Sequence, residues 1–364
     1  MSTIEDVSVQ EKAGAFLERA FGALVGASDL YLIDLGIRLG LYAALDDGAA
    51  TSSELAQRSG TAERYVREWL EHHTATGILE VDDPSASFDE RRYSIAPAHR
   101  DGLLNEDSLF YVGALAKCAT VLAQPVEWLV RAFKTGDGIP YERYGEDAVE
   151  VQEGFTRPMF VNLLTTEWLP ALADVDKRLK SDPPARVADI ACGAGLAALE
   201  LAKAYPKVTV DGFDSDDTSV ARARKSAAEA GLEGRVNFEV RDMSDSAVQG
   251  GYDLITIFEA IHDMSRPVEV LRHAKTLLRD GGTLIVADEN VGESFAEPGP
   301  VDGFFYGVSV LYCLPQALAE QPSAAIGTVI RPSTMRALAR DAGFSRIEDV
   351  PIENDFWRFY RLVP

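Results

Sequence analysis

The 364-residue sequence contains three cysteines and five histidines, which leaves little material for disulfide or metal chemistry. Cys118, Cys192 and Cys313 are widely spaced and form neither a disulfide framework nor a zinc-ligand pattern, so no metal is expected. No apolar run approaches about 18 residues, and no membrane span is expected. Met1 to Lys12 is polar and acidic, without the basic and apolar regions of a secretory signal, which predicts a cytoplasmic location. Internal repeats, low-complexity tracts and blocks of like charge are also missing. The chain is short of cations as well. Its formal net charge of -23 argues against nucleic acid or an anionic membrane as partner. A small, neutral or cationic, largely apolar molecule suits such a chain better.

Apolar residues make up 46% of the sequence and charged residues 26%, enough for a sizeable core. The length predicts two folded units with connecting helices. Near the N-terminus, Leu30, Ile33, Ile37 and Leu41 recur at helical spacing. Thr51-Ser52-Ser53-Glu54 fits a capping box opening a short helix that stops near Gly60. A longer helix is expected from about Ala62 to Thr76, with Tyr65, Val66, Trp69 and Leu70 on its buried side and Gly77 at its left-handed end. Ile78 to Val81 and Arg92 to Ile95 read as short strands around a polar turn. Helix, turn, helix and two-stranded wing make a winged-helix pattern. Residues 1–100 hold 17 acidic and 9 basic side chains, a net of -8, and Arg64 and Arg67 are offset by Glu63, Glu68 and Glu71. This suits a dimerisation or substrate-covering module better than a DNA reader.

Residues 103–180 form a mainly helical connecting region, broken at Gly136, Gly138 and Pro140 and rich in aromatics such as Tyr141, Tyr144, Phe155 and Phe160. Ser181-Asp182-Pro183-Pro184 reads as a linker. Beyond it the pattern alternates strand and helix, as a parallel sheet requires. Arg186 to Ile190 is a strand candidate running into Ala191-Cys192-Gly193-Ala194-Gly195, with a helix from Leu196 to Ala204. Glycine here lets backbone approach a ligand, and the helix start offers free N–H groups. A second strand, Val208 to Phe213, ends in Asp214, an acid placed to accept from the two hydroxyls of a ribose. A third, Arg235 to Val240, leads to Asp242 and Met243, suited to an adenine amino group and ring. Tyr252 to Phe258 is a fourth, and Gly281-Gly282 precedes a fifth, Thr283 to Ala287. Acids at successive strand ends mark the ligand side of an open α/β sheet. A dinucleotide site would want glycine where Ala198 stands.

These motifs resemble the class I S-adenosylmethionine-dependent methyltransferases over roughly residues 155–364. The resemblance implies a seven-stranded Rossmann-like sheet, mostly parallel, preceded by the winged-helix domain. It implies S-adenosylmethionine as cofactor, with Gly193 and Gly195 under its methionine part and Asp189 near its amino group. Asp214 would hold the ribose and Asp242 the adenine, with Cys192, Ser215, Met243, Phe258 and Glu259 around them. Domain boundaries are expected at 1–102, 103–180 and 181–364.

After the fourth strand comes Glu259-Ala260-Ile261-His262-Asp263-Met264, which places a histidine where the active site should open. Histidine suits removal of a hydroxyl proton at neutral pH. The whole chain is similar to small-molecule O-methyltransferases with a winged-helix dimerisation domain, whose His-Asp-Trp base motif is matched by His262-Asp263 and departs at Met264. That similarity implies a homodimer, a small aromatic or polyketide-like methyl acceptor, and His262 and Asp263 as catalytic residues. Glu259, Asp288 and Glu289 are candidates to orient His262. The long stretch from Asn290 to Arg331 reads as pocket wall, with Phe305, Tyr306 and Tyr312 joining Phe160 around the acceptor. The alternatives are another reaction on the same fold and a ligand-sensing regulator. After this stretch, Ser333 is expected to cap a helix, and Arg346 to Val350 and Phe356 to Leu362 to close the sheet.

Overall fold

The computed structural model describes residues 9–244 and 248–364, so most of the polar N-terminus lies outside it. The chain divides into two compact units at Thr120/Val121, which splits the expected 103–180 connecting region between them.

The first unit holds α1 (Val9–Arg38), α2 (Leu41–Asp46), α3 (Ser52–Ser59), α4 (Glu63–Ala75), β1 (Leu79–Val81), β2 (Tyr93–Ile95) and α5 (Arg100–Leu104). α3 begins on the capping box: the Glu54 N–H donates to Thr51 Oγ1 at 3.3 Å and the Thr51 N–H to Glu54 Oε2 at 3.0 Å. Gly77 ends the α4 turn at φ 75°. Val66, Trp69, Leu70 and His73 face the core, at helical spacing. Tyr65 does not: it sits one residue off that stripe, about 100° around the helix, and is 83% exposed. On the outer face of α4, Arg64 pairs with Glu68 at 2.5 Å and Arg67 with Glu63 at 2.7 Å, so both cations are already matched.

α1 extends well before the stripe at Leu30, Ile33 and Ile37. It is long and apolar enough to cross a membrane by length and composition, with a mean hydropathy of 1.5 over its most apolar window. Asp29 and Asp34 interrupt its apolar residues, so no unbroken apolar run of that length occurs in it. Phe16, Leu17, Phe21 and Leu24 lie exposed along it within the first unit.

The second unit takes in the end of α6 (Gly113–Ala123), then α7 (Val126–Thr135), α8 (Glu146–Met159), a π-helical stretch Phe160–Trp168, α9 (Leu169–Ala171) and α10 (Ala173–Leu179). The alternating part follows: β3 (Arg186–Ile190), α11 (Leu196–Ala204), β4 (Thr209–Asp214), α12 (Asp217–Glu229), β5 (Val236–Val240), β6 (Tyr252–Phe258), α13 (Pro267–Leu277) and β7 (Leu278–Glu289). α14 (Asp302–Val308), a π-helical turn Ser309–Cys313, α15 (Leu314–Ala317), α16 (Pro332–Asp341), β8 (Arg346–Val350) and β9 (Trp357–Val363) complete it. Pro332, rather than a Ser333 side chain, opens α16; no side-chain cap bonds there, and proline's fixed φ suits the first helical position.

The seven strands lie in the order β5-β4-β3-β6-β7-β9-β8. β3 to β7 pair in parallel, and β9 runs antiparallel to both β7 and β8. β7 starts earlier than the apolar pattern indicated, because Leu278 pairs with Tyr252 before an irregularity restores register at Leu254 and Thr283. Val187, Leu254, Phe238 and Trp357 belong to one apolar layer, and Ile190, Ile255, Leu284 and Tyr360 to the other. Both faces are thus covered, as a parallel sheet requires. At the N-terminal edge Asp253 fastens the strands: Arg178 and Arg279 reach its Oδ1 at 2.7 and 2.6 Å, and the Arg186 N–H its Oδ2 at 2.9 Å. The opposite edge is left free for a ligand.

Candidate active site

β3 and β6 are neighbours whose connections leave to opposite sides, and the crevice beyond their C-terminal ends is where such sheets bind ligands. There a cavity of about 600 Å³ opens. Of the ten residues expected at the cofactor, all but Gly195 stand on its wall. Gly195 lies beneath the floor, where an added Cβ would come within 2.4 Å of the Phe238 ring. Its role is close packing of the α11 start, at φ 80°.

Two turns that leave the strands carry backbone in the left-handed region without glycine: Ala191 at φ 56° after β3 and Glu259 at φ 52° after β6. Each holds a conformation that L-residues rarely adopt, and such strain gathers at functional sites. Both residues line the cavity.

The floor suits a cationic, ribose-bearing nucleoside. Asp189 is buried, with Oδ1 accepting from Thr256 Oγ1 at 2.7 Å and Oδ2 without a partner. Burial pushes its pKa up to about 7, against the Thr256 bond and helped by the Asp214 charge. An ammonium group would satisfy that oxygen. Asp214 accepts the Gly193 N–H on Oδ2 at 2.8 Å and the Asp216 N–H on Oδ1 at 2.9 Å. A carboxylate has about four acceptor positions, so two remain for a diol. Burial raises the Asp214 pKa despite those two bonds. A Cβ at Gly193 would meet nothing within 4 Å and would project into free space on the cavity wall. Asp242 is already partnered: Oδ1 accepts the Ser244 N–H at 2.8 Å and Oδ2 pairs with Arg266 at 2.6 Å. It retains acceptor positions for an amino group.

Beside this floor sits one histidine among four carboxyl groups. His262 is 2% exposed, and its Nδ1 lies 2.6 Å from Oδ1 of the fully buried Asp288. Of the three acids that were candidates to orient it, Asp288 makes the contact. Nε2 faces Asp263 Oδ1 at 3.4 Å, and that oxygen has no hydrogen bond. Burial alone would lower the His262 pKa, but Asp263 and Asp288 outweigh it and hold the imidazole well above its ordinary value. Burial pushes Glu259 up to about 8, and Glu289 is raised in the same way with Glu259 adding to it. His262 itself does not touch the cavity; Asp263 stands on the wall in front of it.

The expected aromatic wall needs correction. Phe160 lines the cavity, whereas Phe305, Tyr306 and Tyr312 do not. Tyr306 is turned outward to Arg331, which donates to its hydroxyl at 2.9 Å, and Phe305 is buried under the Asn290–Arg331 excursion. The π-helical turn rotates Tyr312 into a ring cluster with Tyr141 and Tyr144, one layer behind the wall. Tyr141, Gln152, Thr156 and Gln316 take those places instead. No motif announces them, because they come from helices whose periodicity reports burial and not what faces it.

Residues 181–329 match the family model described as a methyltransferase domain, and residues 27–104 the one described as an Rv2258c-like winged HTH domain. Among curated proteins the chain is similar to 3-hydroxy-5-methyl-1-naphthoate 3-O-methyltransferase of Streptomyces sahachiroi, at 26% identity over 76% of this chain and 77% of that one. Other relatives, ubiquinone biosynthesis O-methyltransferases, match over only 37–44% of their own length. Among solved structures, mitomycin 7-O-methyltransferase MmcR aligns with a TM-score of 0.68 at 20% identity, covering 98% of this chain and all of that one. PigF with SAH aligns at 0.70 and 19% identity, covering 95% and 99%. The chain is a methyltransferase of the doubly wound class. More particularly, it is an S-adenosylmethionine-dependent methyltransferase that carries a winged-helix domain at its N-terminal side. Asp189, Asp214 and Gly193 would hold that cofactor, which supplies an electrophilic methyl group when bound.

The raised pKa values fix the sign of a pH effect on the free protein. Between the usual carboxylate range and about pH 8, folded Glu259 holds a proton that the unfolded chain has lost. His262, raised above 6.5, acts in the same direction. Folding stability contributed by these groups therefore falls as pH rises from about 5 to 9, by up to about 1.4 kcal/mol per pH unit for each extra bound proton. Denaturant unfolding across this range should show the decline, with a shallower slope for Glu259→Gln. An unchanged slope in that variant would contradict the assignment.

Proposed function

We propose that the enzyme methylates a hydroxyl of a small aromatic or polyketide-like molecule, with His262 as the general base. The observation carrying this reading is the 2.6 Å contact of His262 Nδ1 with Asp288, which leaves Nε2 to face Asp263 on the cavity wall. Hydrogen bonding at one ring nitrogen sets which nitrogen is free to take a proton. Transfer of the methyl group that bound S-adenosylmethionine would supply requires the acceptor hydroxyl to lose its proton, which passes toward Asp263 and His262. Asp263 meets it at the wall, and the imidazole, flanked by Asp288, is its final holder. A bound sulfonium would set a positive charge beside the buried acids, and the imidazolium formed at His262 would take its place after transfer. That constancy limits reorganisation, which favours catalysis in an enclosed site.

Two of the similar proteins are O-methyltransferases of a hydroxynaphthoate and of mitomycin, which supports oxygen as the acceptor atom and a small molecule as its carrier. The three free cysteines suit a reducing, cytoplasmic setting.

His262→Ala should lower the single-turnover rate by about 10²–10⁴-fold, the usual contribution of a general base, with donor affinity little changed. Because the base works neutral, the rate should rise with pH through an inflection above 6.5, and Asp288→Asn should move that inflection down. A pH-independent rate that survives in His262→Ala would leave only proximity as the source of catalysis.

We further propose a homodimer joined through α1. Its exposed Phe16, Leu17, Phe21 and Leu24 form a larger apolar face than a lone soluble chain usually carries. Light scattering should give twice the 39.6 kDa chain mass, and Phe21→Ser with Leu24→Ser should release monomer. A monodisperse monomer for the unaltered protein at micromolar concentration would contradict this.

A further inference from the structure

One corner of the cavity holds polar groups that the proton path does not use. Gln316, on α15, lines the cavity, and its Nε2 is buried without a hydrogen-bond partner. One helical turn earlier, the Tyr312 hydroxyl is likewise buried and closes no aligned hydrogen bond, though it lies near the Tyr141 hydroxyl. The two side chains face one another without closing an aligned bond, and the hydroxyl is near enough to Asp263 to feel its charge. One unused donor, the Gln316 amide, thus stands on the same wall as the residue where the acceptor hydroxyl is to be received, with the Tyr312 hydroxyl behind it. Leaving a buried donor unpaired is unfavourable by roughly 1–3 kcal/mol, so a ligand that supplies an acceptor there is selected over one that does not.

The charge of the cavity narrows what that acceptor is. Acidic side chains on its wall outnumber the basic ones nine to two among the described residues, the two being Arg241 and Arg266. Arg266 is already engaged by Asp242. An added carboxylate would meet repulsion, whereas a neutral carbonyl oxygen would not.

We propose that Gln316, assisted by Tyr312, recognises a neutral carbonyl oxygen next to the hydroxyl that is methylated. The acceptor class is then a hydroxyaryl ketone, ester, amide or quinone. This rests on the methyl-transfer reading of the same site and adds its selectivity. A carbonyl oxygen has two lone pairs, so it can keep an internal hydrogen bond from its neighbouring hydroxyl while accepting from the Gln316 amide. When the hydroxyl proton departs, the amide remains to hold the carbonyl in place.

Three naphthalene probes test this in the full-length enzyme saturated with S-adenosylhomocysteine: 1-hydroxy-2-acetonaphthone, 1-naphthol and 1-hydroxy-2-naphthoate. Calorimetry should show the ketone binding about 10–100-fold more tightly than 1-naphthol and more tightly than the carboxylate. In Gln316→Leu that ratio should collapse to within about threefold, and Tyr312→Phe should reduce it partway. Equal binding of ketone and naphthol by the unaltered enzyme would overturn the proposal without any variant. So would tightest binding of the carboxylate, or a ratio unchanged in a Gln316→Leu protein that still binds S-adenosylhomocysteine. Methyl transfer is measured separately with radiolabelled S-adenosylmethionine. Ketone-selective binding with no probe methylated would count against the hydroxyl-transfer reading and uphold the recognition site.

Discussion

The contact on which the site depends is the one between His262 and Asp288, two side chains with almost no exposure. A lone imidazole in that position would be driven neutral by burial, and a lone carboxylate would be driven to hold a proton. Together, with Asp263 on the other ring nitrogen, they reverse the balance and favour a protonated ring. Asp288 reaches the contact because it lies near the end of β7, hydrogen-bonded between β6 and β9. The length of β7 therefore decides this contact: the strand runs past Ala287 far enough to bring Asp288 level with the turn that carries His262.

The same logic extends across the cavity floor. Asp189, Asp214 and Glu259 are carboxyls whose burial raises their pKa, and no lysine or arginine bonds them. Each is stabilised instead by neutral donors, from Thr256 or backbone N–H groups, or by the positive charge of His262. An apparatus of this kind is unsatisfied until a cation arrives. It explains why a chain of net charge -23 places so few basic groups around its own ligand site.

Much of this was legible because it is local. The capping box at Thr51, the β3 turn and the acids at the ends of β3 and β4 need only neighbouring residues to be recognised, and the structure places them as expected. The histidine after β6 followed from the strand order. What escaped depends on distance or on degree. Tyr312 and Gln316 lie on a π-helical turn and the short helix after it, and the length of the Asn290–Arg331 connection does not show which of its side chains reach the wall. Tyr65 was misplaced by one step of a helical wheel. The stripe of α1 at Leu30, Ile33 and Ile37 packs as the spacing indicates, but a stripe does not show what covers the exposed Phe16, Phe21 and Leu24 before it. Asp288 could be named as a candidate only together with Glu259 and Glu289, since strand pairing selects among them.

The central claim is that the free cavity holds extra protons on buried carboxyls, which a bound positive charge releases. Calorimetric titration of the enzyme near pH 7.5 in buffers of different ionisation enthalpy counts the protons released by S-adenosylmethionine and by S-adenosylhomocysteine. The two differ by a methyl group and one positive charge. The account predicts that the charged donor releases more protons than the neutral product, with the difference reduced in Glu259→Gln. Equal release by the two ligands would contradict it.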